Sequence, residues 1–371
     1  MAIPILGWHG LNAQHETLEK YREMAAAGFT YNLSGWPDVA AALRALDLAG
    51  QAGLKQFVHV KGLMDSPGQV VGAIKHHPAL GGYNLTDEPA ADQFEKLGQL
   101  VRQIQSLDDQ HPCYINLFPT YAAPGSQLGA PTYQDYLDLF LQHVPVEFVS
   151  FDHYPIMEKS LRKDFFLNLE LVAATCRRAG NPFWAFALCT AHKPYPVPTL
   201  GHLRLQQYSN LAYGAQGLQY FTYLTPTPGT WDFHDGPIET DGRKTAVYDL
   251  VRQFNQELRN VLWVFEGAAV ESVGHTGTKI PLGTQPYTPA EPIRRVELGG
   301  EGAVVALLAN QDRRHLMIVN RDFANPGELV VEWNPQAPIR QVDNAGRVCE
   351  LPGASLARAL EPGQACILSW V

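Results

Sequence analysis

The chain has 371 residues, 46% of them hydrophobic and 18% charged, the composition of an ordinary globular protein with room for one large domain and a smaller one. Lys and Arg number 28 against 37 Asp and Glu, and the resulting net charge of −9 argues against a nucleic-acid or anionic-membrane partner while fitting a neutral or cationic small substrate. No run of about 18 apolar residues appears, which excludes a membrane-spanning helix. The expectation is a soluble protein, cytoplasmic or exported. The five cysteines show no metal-ligand spacing, and Cys113 and Cys189 sit inside apolar strand-like runs, where cysteine is usually a small core residue.

Strand and helix patterns alternate from the first residues onward. Strands are predicted over 4–9, 30–34, 56–60, 80–86, 113–118, 148–153, 183–189 and 217–223. Helices are predicted over 17–27, 40–52, 67–75, 90–106, 133–143, 161–179, 200–213 and 245–261. Continuous apolar runs such as "FVSF" and "PFWAFAL" suit parallel strands buried on both faces. Gly28, Gly53, Gly180 and Gly214 each follow a helical segment, as C-terminal caps do. Eight such pairs over about 260 residues is the count of an α/β fold of the (β/α)8 TIM-barrel type. A doubly wound open sheet shares the alternation, but the first strand is not followed by a glycine-rich phosphate loop.

Beyond Phe265 helical periodicity gives way to short alternating strands, among them "AVVALLAN", "HLMIVNRD", "GELVVEW", "IRQVDN" and "ACILSWV", separated by turn residues. They read as a small C-terminal all-β sandwich. The expected division is a barrel domain over 1–264 and a sandwich over 265–371, with 276–292 as a long Pro, Gly and Thr-rich loop or linker.

A barrel gathers the C-terminal ends of its strands at one mouth. The residues expected there are Trp8 and His9, then Asn32 and Trp36, then His59, then Asn84, Asp87 and Glu88. The later strands add Asn116, then Asp152, His153 and Tyr154, then His192, then Tyr223, with Trp231, Asp235 and Glu239 on the loop that follows. Glu88 closes a buried strand and precedes Pro89, which suits a first helical turn, so it is the leading candidate for a catalytic acid. Aromatic faces mixed with amides, imidazoles and carboxylates suit a sugar, whose ring stacks on one and whose hydroxyls bond to the other. Glycoside hydrolysis needs two carboxyl groups, one of them protonated. Asp87 beside Glu88 would favour the acid role by raising its pKa.

The stretch "GGYNLTDEP" resembles the fourth-strand motif of clan A glycoside hydrolases, the β-galactosidase-like (β/α)8 enzymes. "FVSFDHYPI" resembles their sixth-strand segment, "PTLGHLRLQQYSNLAYGAQGLQYFTY" their seventh helix and eighth strand, and "ETDGRKTAVYDLVRQFNQEL" the segment entering their last helix. "VVALLANQDRRHLMIVNRD" and "EPGQACILSWV" resemble their trailing β-sandwich. The resemblance implies that Glu88 is the acid/base and that Asp87 stands where the family has an asparagine contacting the sugar 2-hydroxyl. It also implies a nucleophilic glutamate ending strand seven, but that strand runs into Cys189, Thr190, Ala191 and His192 with no acidic residue.

The second carboxylate must then come from elsewhere, and Asp152 is the leading candidate as base or nucleophile; its alternative role is to orient His153 or cap the next turn. Cys189 as a thiolate needs an activating environment. His9, His59, His153 and His192 show no ligand spacing, so neither a metal nor a cofactor is expected. Trp231 in its polar loop is the best stacking platform, while Trp184 and Trp263 read as core. The expected function is a glycoside hydrolase acting on a carbohydrate, the alternatives being a non-catalytic carbohydrate-binding protein on the same scaffold and a sugar lyase or modifying enzyme with Glu88 as base. Carbohydrate is the expected partner, and self-association is left open.

Overall fold

The structure is a computed structural model that describes residues 2–158 and 160–371. Eight parallel strands close into a barrel: β1 (Ile5–Trp8), β2 (Tyr31–Trp36), β3 (Lys55–Val60), β4 (Leu80–Asp87), β5 (Cys113–Leu117), β6 (Val149–Phe151), β7 (Phe183–Leu188) and β8 (Gly217–Phe221), with β8 paired back onto β1. The main helices around them are α1 (Leu18–Ala26), α2 (Val39–Gln51), α3 (Pro67–Ile74), α4 (Phe94–Leu107), α5 (Tyr133–His143), α6 (Phe165–Ala179), α7 (Leu200–Ala212) and α8 (Ala246–Val261). The strands and helices read from periodicity are therefore present, each within a few residues of its predicted ends.

Local chemistry explains the boundaries. Thr17, Asp38, Thr132, Thr199 and Thr245 each accept a backbone N–H at a helix start, replacing one missing intrahelical partner. Gly180 ends α6 at φ 74, a left-handed conformation glycine adopts at little cost. On α8 the buried stripe is Val247, Tyr248, Val251, Phe254, Asn255, Leu258 and Val261, while Leu250 is only partly buried.

The barrel interior is packed and carries polar groups at the level of the strand ends. Leu6, Leu33, Phe57, Tyr114, Phe148 and Trp184 form a separate apolar cluster within it. Phe148 and Trp184 stack with centroids 4.1 Å apart and planes 10° from parallel. Gly217 lies against Trp184, where an added Cβ would collide with the indole.

Nine further strands follow: β9 (Ala269–His275), β10 (Ile293–Leu298), β11 (Ala303–Asn310), β12 (Arg313–Asn320), β13 (Gly327–Trp333), β14 (Arg340–Val342), β15 (Val348–Glu350), β16 (Ser355–Leu360) and β17 (Ala365–Trp370). They form a six-stranded sheet in the order β9-β11-β12-β17-β14-β15 and a three-stranded sheet in the order β10-β13-β16. Trp333, Leu316, Ile318, Leu329 and Leu368 fill the space between the sheets. The other face of the larger sheet, through Val304, Ala306, Met317 and Val319, joins the barrel core, and α7 packs against β11 and β12. Residues 276–292 form a loop pinned in place: Arg321 donates to the carbonyls of Thr276 and Lys279, and His275 pairs with Gln285 and Tyr287.

Candidate active site

The site is built from the end of β4 outward. A register shift between Asn84 and Thr86 interrupts the β4–β5 ladder, so that Asp87 pairs with Asn116 and Asn116 with Ser150 of β6. Glu88 takes φ 48, a left-handed conformation that costs a glutamate of order 1–3 kcal/mol. The turn is over-determined by its neighbours: Glu88 N–H donates to Asn116 O at 2.8 Å, and Tyr136 OH donates to Pro89 O at 2.8 Å. It directs Glu88 into the mouth, where its side chain lines the same cavity as Asp87 and Asp152.

Asn116 is the hub. Its Nδ2 donates to Asp87 Oδ1 at 3.1 Å and to Asp152 Oδ1 at 2.9 Å, so those two oxygens lie no farther apart than the sum of the two bonds. The amide cannot flip without loss, because Ser150 Oγ donates to Asn116 Oδ1 at 2.9 Å. Ser150 Oγ in turn accepts from Gln219 Nε2 at 2.9 Å, and Gln219 Oε1 accepts from Tyr114 OH. A buried polar chain thus runs from the barrel interior to the carboxylates, every link with a defined direction.

The electrostatics follow from crowding. Burial raises the Glu88 pKa, and Asp152 and then Asp87 raise it further by repulsion. Asp152 is also raised, by burial first and then by Asp87, against hydrogen bonds from Asn116 and Tyr154 that favour its ionised form. Asp87 opens to solvent through the cavity yet is ringed by protein, and its pKa is raised as well, against the same Asn116 donor. Among the described residues no Lys or Arg forms an ion pair with these three carboxyls, so each raises its neighbours and they titrate as a group.

The cavity above them measures about 510 Å3. Its polar floor is Asp87, Glu88, Asn116 and Asp152; its walls include Trp8, Tyr121, Tyr154, Phe186, Tyr195, Phe221, Trp231 and Phe233, with Gln127, Arg162, His192 and Pro194. The loop carrying Trp231 and Phe233 is fastened over the mouth by paired bonds between Ala191 and His234, both 3.0 Å. Trp231 remains 54% exposed and lies nearly perpendicular to the His192 ring, whose pKa burial lowers. Two larger cavities, of about 650 and 840 Å3, lie away from the carboxylates.

Of the residues read from the strand ends, Trp8, Asp87, Glu88, Asn116, Asp152, Tyr154, His192 and Trp231 come together here. The others do not line the cavity. Asn32 is buried and bonds to Leu11 on both its N–H and C=O and to Gln56, so it ties the β1 loop to the barrel. Trp36 and Tyr223 are in the core, Tyr223 edge-on to Phe29 at 5.2 Å. His59 Nδ1 pairs with Asn84 O at 3.0 Å, and the Asn84 side chain turns inward, its Oδ1 buried. His153 is buried between Tyr121 and Phe165, with Nε2 3.5 Å from Asp164. His9 is exposed at φ 44, and Glu239 sits in a turn closed with Arg243.

Cys189 is fully buried and its thiol pKa is pushed up by burial, which removes the activation a thiolate nucleophile requires. Among the described residues no group of three His, Cys, Asp or Glu side chains is placed to hold a metal ion. The strand-end inventory missed Tyr121, Gln127, Arg162, Phe186, Pro194, Tyr195, Phe221 and Phe233. Phe186 and Phe221 were visible only as members of apolar runs, and the rest come from loops.

Residues 100–261 match the Glyco_hydro_42 family model, described as Beta-galactosidase. No curated protein matches the sequence. Among solved structures, a β-galactosidase from Bacillus circulans sp. alkalophilus aligns at TM-score 0.65 and 10% identity, over 100% of this chain and 99% of that one. A catalytic mutant of a GH42 β-galactosidase from G. stearothermophilus aligns at TM-score 0.63 and 10% identity, over 100% and 98%. A β-galactosidase from the psychrophilic Marinomonas ef1 aligns at TM-score 0.52 and 10% identity, over 69% of this chain and 59% of that one. The family match supports a glycoside hydrolase and the structural matches bear on the fold alone, a (β/α)8 barrel with a C-terminal β-sandwich; both agree with the resemblance seen in the motifs.

Proposed function

We propose that the protein cleaves a glycosidic bond with Glu88 as general acid and Asp152 as the carboxylate working opposite it. The observation that carries this reading is the Asn116 amide, which donates to Asp152 and not to Glu88. Both carboxyls are raised by burial, but only Asp152 has hydrogen-bond donors opposing the rise. The two environments therefore push the proton toward Glu88 and the charge toward Asp152, the division of labour that glycoside hydrolysis requires. Protonated Glu88 delivers its proton to the departing glycosidic oxygen as the C–O bond breaks. Ionised Asp152 either removes a proton from the attacking water, giving inversion, or attacks the anomeric carbon itself, giving retention through a glycosyl ester that water then cleaves.

Asp87, held by Asn116, offers acceptor oxygens to sugar hydroxyls at the floor, and Trp8, Tyr154 and Trp231 offer aromatic faces to the ring. The matched family's description makes a β-galactoside the first substrate to test. A panel of aryl and natural β-glycosides, with the first-formed anomer read by NMR, tests the proposal. Turnover with a single anomer as product is expected. Sugar binding in calorimetry with no product across the panel would favour the binding-protein reading, which the acid-free end of β7 motivates. An unsaturated product absorbing in the ultraviolet would point to a lyase.

A further inference from the structure

Arg162 is a guanidinium held in the wall of the active-site cavity with no charge to balance. It follows a short ribbon formed by Ile156–Met157 and Ser160–Leu161 in the loop between β6 and α6. Three contacts fix it. Nε donates to Tyr154 O at 3.2 Å, one terminal nitrogen donates to Tyr195 OH at 2.9 Å, and the guanidinium carbon lies 4.2 Å over the Tyr121 ring. Among the described residues Arg162 forms an ion pair with no carboxylate. A planar fork immobilised by aromatic rings and a carbonyl, with donors left over at a cavity wall, is a preorganised receptor for an anion.

The same residue lines a second space. The groove of about 840 Å3 between the ribbon and the β-sandwich also has Arg162 in its wall, so this residue borders both the active-site cavity and the groove. Lys163, Lys279 and Arg321 line the groove, as do Glu158, Glu301 and Asp322. Charge along the groove is therefore mixed, and selectivity is assigned to Arg162 rather than to the groove as a whole.

We infer that the substrate is an anionic glycan whose uronate carboxylate or sulfate ester is bound by Arg162 in the wall of the active-site cavity, on the side that borders the groove between barrel and sandwich. This deepens the glycosidase reading and rests on it for the placement of the sugar. It also revises what net charge suggested: −9 is an average over the whole surface, whereas recognition depends on Arg162, the one Lys or Arg among the described residues that line the cavity.

The test uses the full-length Glu88→Gln protein, so that the probes persist, and four ligands in calorimetry: a β-linked galactose disaccharide, the same disaccharide with one C6 oxidised to a carboxylate, the methyl ester of that acid, and the 6-sulfate. The acid or the sulfate should bind about 10-fold or more tighter than the neutral pair, the gain expected from a charge-assisted fork. Whichever of the two binds tighter identifies the group. Arg162→Gln should remove that ratio, Arg162→Lys should restore part of it, and added salt should shrink it. Equal binding of acid, sulfate, ester and parent, or an anion preference that survives Arg162→Gln, would overturn the inference. The two readings separate on the unmutated enzyme: turnover of the neutral disaccharide without any anion preference removes the anion subsite alone, and anion-selective binding without turnover of any probe removes hydrolysis alone.

Discussion

Replacing Asn116 by Ala removes both hydrogen bonds that tie the two aspartates together. A hydrogen bond to an ionised group is worth about 1.5–3 kcal/mol, and one pKa unit corresponds to about 1.4 kcal/mol. Losing the donor to Asp152 should therefore raise the carboxylate that must be ionised by about one to two units. The sign is fixed by its role: base and nucleophile both act as the anion, so activity is lost as pH falls through a value that has moved up. The acidic limb of the kcat/KM profile should shift upward by that amount, and the basic limb, set by protonated Glu88, should move less. A continuous assay with an aryl glycoside across the pH range reads both limbs. Because the limbs report the cluster rather than single residues, Ser150→Ala offers a second reading. It leaves the Asn116 donors in place but frees the amide to rotate, and it should give a smaller shift in the same direction. An acidic limb unmoved in Asn116→Ala, in a protein still folded by circular dichroism, would refute the assignment of Asp152.

Other outcomes follow from the packing. Trp184→Ala removes the stacked partner of Phe148 in the barrel interior and should cost about 3–5 kcal/mol in urea denaturation. Trp231→Ala, at a 54% exposed residue, should raise KM several-fold and leave the unfolding midpoint nearly unchanged. Cys189 should resist thiol reagents in the native protein and react on unfolding, since it is fully buried and its thiol is held in the neutral form; rapid native labelling at this residue would contradict its placement.

The barrel was legible because its strands are buried on both faces and its helices are capped. "PFWAFAL" admits few other environments, and Thr132 before Tyr133 marks a helix start without tertiary help. The sandwich was legible where strands run apolar, as in "AVVALLAN". It was missed at Ala269–His275, Ile293–Leu298, Val348–Glu350 and Ser355–Leu360, where exposed residues break up the apolar pattern. At the mouth, chain position gave proximity but not direction. Asn32 is only the second residue of β2 and Asn84 lies midway along β4, so one turns inward to Gln56 and the other lies beside the register shift in β4. Arg162, Tyr121 and Tyr195 arrive on loops, and only the folded path of those loops brings them to the cavity.

The central claim is that Glu88 donates the proton. Glu88→Gln measured against two substrates of one sugar, a natural glycoside and an aryl glycoside with a strongly acidic leaving group, tests it most directly. Turnover of the natural glycoside should fall by roughly 10²–10⁴, and the aryl glycoside, whose leaving group needs little protonation, should lose far less. Equal losses on both substrates, or full activity on the natural one, would contradict the account.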